Sequence, residues 1–88
     1  GSLAEELILI STGYYFELGE KGKKRCNIGY EEISDTQECR DACNALKIPH
    51  SNAFQNGKPC IKMGNGKCKQ ANSIGGRAFM VCKKMGKF

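Results

Sequence analysis

The sequence predicts a small disulfide-rich α+β domain, one α-helix over about residues 35–47 stapled onto an antiparallel β-sheet. Three observations predict it. The segment SDTQECRDACNALKI, residues 34–48, places Cys39, Ala42, Cys43 and Leu46 at i, i+3, i+4 and i+7, one stripe of a helix. Six cysteines occur in 88 residues, and an even count at irregular spacing in a short chain reads as a disulfide framework made in an oxidising compartment. The apolar supply is thin, with no Trp, eleven Gly and a negative mean hydropathy. A core this small supplies only a few kcal/mol, and each cross-link adds about 2–4 kcal/mol by restricting the unfolded chain.

The helix start is well marked. Ser34 with Gln37, or Asp35 with Glu38, forms a capping box, and Ile33 can staple the first turn. Asp35 and Glu38 complement the positive end of the helix dipole, and Pro49 disfavours helix at Ile48.

The other elements are read in order. Residues 1–13 form a remnant and leader: Gly1-Ser2 looks like a cloning scar, and LAEELILIS reads either as helix or, through LILI, as a short buried strand. The domain proper spans 14–84. YYFEL, residues 14–18, is a strand with Tyr14, Phe16 and Leu18 on one face and Tyr15 and Glu17 on the other. Exposed aromatics beside bases can mark a binding surface, but in a chain without Trp the favoured role is filling the core. EKGKKR, residues 20–25, is a basic loop. Residues 49–59 form a loop of turn formers anchored by Phe54, with His50 as a surface residue. CIKMGNGKCKQ, residues 60–70, is a β-hairpin. A two-residue Asn65-Gly66 turn would put Cys68 opposite Met63, on the face away from Cys60. A three-residue Gly64-Asn65-Gly66 loop puts it opposite Lys62, on the face of Cys60. Only the second lets one helix stripe hold both strands. Residues 77–82 make the last strand, and Lys83, Lys84 and Lys87 lie in a frayed basic tail, with 85–88 outside the domain.

Six cysteines allow fifteen pairings. Cys39 and Cys43 share a helix face and would be strained if joined, so each reaches a strand. Cys26 and Cys82 remain to close the module end to end. The expected set is Cys26–Cys82, Cys39–Cys60 and Cys43–Cys68, with exchange of the two helix partners as the near alternative. Zinc is the rival use of these cysteines. Gaps of 12, 3, 16, 7 and 13 residues and a single histidine do not match paired structural-zinc spacing, so no metal or other cofactor is expected.

A helix carrying CxxxC, here TQECRDAC, followed by a loop and a strand opening PCIKM, resembles the PAN/apple class of extracellular modules. The wider pattern of YYFELGEKGKKRC, GYEEI, ECRDACNAL and a terminal VC is similar to small secreted cysteine-rich domains of marine invertebrates and algae. The resemblance spans residues 14–84. It implies a helix disulfide-bonded to an antiparallel sheet, an outer bond joining the module's ends, and protein or glycan binding without chemistry. One departure is clear: the extra cysteine that such modules carry soon after the helix is missing around residues 51–54, and Cys68 occurs instead.

Charge is most informative by position. All nine acids lie at or before Asp41, where five bases leave a balance of −4; from Ala42 onward nine bases and no acids give +9, for a net +5. Such asymmetry suggests a basic face and an anionic partner, although lysines also simply keep small secreted proteins soluble. No apolar run is long enough to span a bilayer. Membrane contact would be peripheral only, and no signal-peptide pattern opens the chain. Catalysis is not expected, for there is no Gly-rich phosphate loop, triad or defensible carboxylate pair. No nucleic-acid recognition motif appears. The expected function is a non-catalytic, monomeric, extracellular binding module for an anionic glycan or protein. Lys58, Lys62, Lys67 and Lys69 would carry it, joined by Lys21, Lys23, Lys24 and Arg25. A free secreted cationic effector, either a toxin or an antimicrobial protein, is the alternative class. The acids Glu38 and Asp41 on the helix argue against it.

Overall fold

The structure, a computed structural model, describes residues 3–86. Gly1, Ser2, Lys87 and Phe88, and with them the expected scar and the end of the basic tail, lie outside the described residues. The order of elements is α1 (Leu3–Thr12), β1 (Tyr14–Leu18), β2 (Glu31–Glu32), α2 (Thr36–Ala45), β3 (Cys60–Lys62), β4 (Cys68–Gln70) and β5 (Phe79–Met85). The domain is α+β and disulfide-rich, with two helices rather than one. The five-stranded antiparallel sheet runs β1-β5-β3-β4, and β2 also pairs with β5.

α2 forms where its stripe and caps require. Of the two candidate N-caps the chain uses the later one: Asp35 caps the helix, its carboxylate accepting from the Glu38 backbone N–H at 3.0 Å, while the Glu38 carboxylate turns to Lys83 instead of closing the box. The end is set before Pro49 acts. Lys47 sits at φ 59°, and the Ile48 and Lys47 amides donate back to the carbonyls of Cys43 and Asn44. These are left-handed cap bonds usually made through glycine. The helix therefore stops at Ala45, two residues short of the expected end.

β1 and β5 pair from Tyr14↔Met85 to Leu18↔Val81, which turns alternate residues toward opposite sides. On the α2 side Phe16, Leu18 and Val81 join Ile33, Ala42, Ile48 and four cysteines in the larger core cluster. On the other side Ile61, Met80 and Cys82 form a second cluster, with Cys26, Tyr30, Ala71 and Ile74 packed on it. Lys83 and Lys84 belong to β5, opposite Phe16 and Tyr15, and not to a frayed tail. Pairing to β1 holds both, and Glu31 pairs with Lys83 on the other edge.

Residues 3–12 form a helix, one of the two readings of LAEELILIS, and not the LILI strand. It docks through Leu9, which packs against Gly86, while the Leu3, Leu7 and Ile10 stripe faces solvent. The amphipathic spacing thus points outward.

One ion pair ties α2 to the sheet. Lys83 donates to the Glu38 carboxylate at 2.6 Å, with the lysine side chain 13% exposed. Burial lowers the ammonium pKa, but the Glu38 hydrogen bond and charge, with Tyr14 and Glu31 adding, leave it above its ordinary 10.5. A raised folded-state value contributes stability that is fully present below about pH 10.5 and is lost as pH climbs from there through the raised value. Glu38→Gln is expected to cost about 1 kcal/mol at pH 8. That gap to the parent should narrow as pH is raised past the ordinary lysine value, as measured by urea unfolding across that range. A gap that stayed constant would assign Glu38 a role other than pairing.

Candidate functional site: a basic cleft and a buried sulfur cluster

The hairpin register decides which basic residues share a face. Gly64-Asn65-Gly66 makes a three-residue loop: the Met63 amide donates to the Lys67 carbonyl, Gly66 returns a bond to Met63, and Gly66 sits at φ 88°, where a side chain would be strained. The pairs are Cys60↔Gln70, Ile61↔Lys69 and Lys62↔Cys68. Cys60 and Cys68 therefore point to α2 together, with Lys62, whose ammonium lies 5.7 Å from the Phe79 ring centroid. Lys69 points the other way with Ile61. The four hairpin lysines do not form one patch. Lys58 lies at the start of the hairpin, where its carbonyl is bound by Gln70, and Lys67 is exposed at the opposite tip.

Lys69 lines a cleft of 310 Å³ between the hairpin and the loop before β5. Arg77 is the second cation in its wall, and Asn65 and Ser73 add polar groups. Ile61, Met63 and Ala78 give it an apolar floor, and none of the residues lining it is a carboxylate. Gly64 lets the two walls meet, since a Cβ there would stand 3.1 Å from Arg77 Cβ.

The basic loop docks beside this wall. The Gly22 amide donates to the Ala78 carbonyl at 2.7 Å, and at φ 75° Gly22 lies so close to Gly76 that an added Cβ would come to 2.9 Å from its carbonyl oxygen. Lys21 and Lys23, both exposed, thus flank a contact made one residue from Arg77. Lys24 and Arg25 follow on the same loop, and Arg25 is paired with Glu20 at 3.2 Å. Arg77 was legible only as a strand residue, because its importance comes from a loop-to-loop contact that spacing does not encode.

Tyr15 is exposed on the same side of the sheet as the second cluster, and Lys84 lies 5.7 and 5.2 Å from the Tyr15 and Tyr30 ring centroids. Burial first, then the charges of Glu17 and Tyr15, hold the Tyr30 phenol above its usual range. His50 is half-buried rather than a surface residue. Its ring packs 5.5 Å from Phe54, which also receives the Arg40 guanidinium at 4.5 Å, and its Nε2 is buried without a hydrogen-bond partner.

Beneath α2 the disulfides are Cys39–Cys60 and Cys43–Cys68, while Cys26–Cys82 closes the module on the other side. The two helix bonds stack. Their four sulfurs, all in fully buried residues, lie within 4.8 Å of one another. Across the bonds Cys39 and Cys68 are 3.7 Å apart, Cys43 and Cys60 3.8 Å, and Cys60 and Cys68 3.8 Å.

Comparisons with protein-family profiles, with curated proteins and with solved structures return no match for this chain.

Proposed function

We propose that this chain is a non-catalytic extracellular binding module, PAN/apple-like in design, that recognises an anionic glycan through the Lys69–Arg77 cleft. The observation that carries the reading is the cleft itself, with two cations in its wall, no lining carboxylate and the basic loop packed alongside. A guanidinium offers paired donors to a sulfate or carboxylate, and an ammonium adds a point charge. The floor of Ile61, Met63 and Ala78 suits the C–H face of a sugar ring, and the volume is at the small end of ligand sites. Three disulfides in a domain this small support an extracellular setting.

The test is binding to immobilised heparin and to an acidic protein surface at several salt concentrations. Affinity for heparin should fall steeply with salt. The double variant Lys69→Glu/Arg77→Glu should bind at least about tenfold more weakly, as expected when two ion contacts become repulsive. Lys58→Glu, away from the cleft, should bind as the parent does. Equal losses in both variants would reduce the interaction to net charge. Preference for the acidic protein would overturn the glycan assignment.

A further inference from the structure

The four sulfurs under α2 have a geometry that suits a second chemistry. A zinc ion with four thiolate ligands at about 2.3 Å holds them at the corners of a tetrahedron whose edges are about 3.8 Å. The three contacts across the helix disulfides are 3.7, 3.8 and 3.8 Å. The two bonded pairs must part, and Cys39 and Cys43, whose sulfurs lie within 4.8 Å of each other, must settle at the same edge length, changes within the range of side-chain rotation. Two ligands come from one helix turn and two from a hairpin. Both elements are also held by contacts that do not involve sulfur: the Gln70 amide bound to the Ser34 carbonyl at 2.8 Å, and the Lys83–Glu38 pair. Cys26 and Cys82 lie outside the group.

We propose that the reduced chain is a zinc-binding protein, in which Cys39, Cys43, Cys60 and Cys68 hold one Zn2+ as a tetrahedral tetrathiolate and the fold persists with the metal in place of two cross-links. A phosphine reductant opens each disulfide by giving it two electrons. The phosphine leaves as its oxide with the oxygen of one water, whose two protons complete the two thiols. Zinc then displaces four protons as the thiols become thiolates, so uptake is favoured as pH rises. The net +5 of the chain offsets the doubly negative site that results. The inference is independent of the cleft and concerns the same scaffold under reducing conditions.

The chain is reduced with a phosphine under argon and titrated with Co2+, then with Zn2+. The expected result is one Co2+ per chain, with the visible bands of tetrahedral thiolate coordination, displaced by Zn2+, and a far-ultraviolet dichroism spectrum close to that of the oxidised protein. Cys26→Ser/Cys82→Ser should bind with unchanged stoichiometry and affinity. Cys68→Ala should bind more than about a hundredfold more weakly, since even losses around the ligands cost 10–100-fold. The proposal is overturned if the reduced chain takes up no Co2+, if the bands are those of octahedral coordination, or if Cys68→Ala binds as the parent does.

Discussion

Alanine in place of Cys39, Cys43, Cys60 and Cys68 together is expected to cost about 6 kcal/mol and leave the oxidised chain unfolded at room temperature. Removing either helix bond alone costs about half of that. The reason is the ring each bond closes. With Cys39–Cys60 intact, the path from Cys43 to Cys68 runs four residues back along α2, across the bond, and eight residues on along the hairpin. A ring of roughly twelve residues corresponds to about 3 kcal/mol of chain entropy. Once that bond is gone as well, the other closes 25 residues, worth about 3.5 kcal/mol. The outer bond Cys26–Cys82 costs slightly more than either helix bond alone, for its shortest covalent detour passes through Cys43–Cys68 and spans roughly thirty residues, about 3.7 kcal/mol. Urea midpoints of the three paired variants and the four-cysteine variant give the ranking. If one helix pair proved as costly as both, the two would not be acting as partly redundant fasteners.

Gln70→Ala is expected to cost about 3 kcal/mol, the largest effect of any single polar side chain among the described residues. Gln70 is 4% exposed, and its amide group joins three segments. The Nε2 donates to the Ser34 carbonyl at 2.8 Å and to the Lys58 carbonyl at 2.9 Å, and the Oε1 accepts from the Thr36 hydroxyl at 2.7 Å. Its own backbone N–H reaches Ala53. The start of α2, the loop before β3 and strand β4 are therefore locked by one side chain, and truncation leaves two carbonyls facing a void. Gln70→Glu tests the account, because a carboxylate cannot donate to either carbonyl. It should be as damaging at pH 7 and recover in part below about pH 4, where the protonated acid regains one donor. Thermal unfolding at both pH values would show this. No recovery in acid would mean that packing, not donation, is what Gln70 supplies.

The readable parts of this fold are those in which several local signals agree. The α2 stripe, its acidic cap and the three-residue hairpin loop each have a separate origin in sequence. All place Cys39, Cys43, Cys60 and Cys68 on facing surfaces, and the structure forms the Cys39–Cys60 and Cys43–Cys68 pairs of the two arrangements considered. Where one signal stood alone it misled. Lys83 and Lys84 look like a solvated tail, yet a strand paired to β1 can carry them, one over the Tyr14 ring and one over Tyr15 and Tyr30. LILI also reads as a short buried strand, whereas the segment is a helix anchored by Leu9 alone of its large apolar residues. Two residues, Glu31–Glu32, are too few to show a period. Half of the basic cleft was also visible: Lys69 and the 20–25 loop stand out by composition. Arg77 and the split of Lys62 from Lys69 follow from register and from loops meeting in space.

The outer disulfide also determines how the molecule would respond to pulling at its ends. Tyr14 pairs with Met85, so tension applied through the chain before β1 and after β5 acts at one end of that ladder and peels it a bond at a time. Peeling can release residues 14–25, roughly 40 Å of slack, before the load reaches Cys26. From there it passes straight to Cys82 through sulfur. Residues 27–81, with α2 and the hairpin, are bypassed by the load, but the released segment takes Phe16 and Leu18 out of the larger core cluster and Gly22 off Ala78, so stretch would undo the cleft's neighbouring loop before it loaded any disulfide.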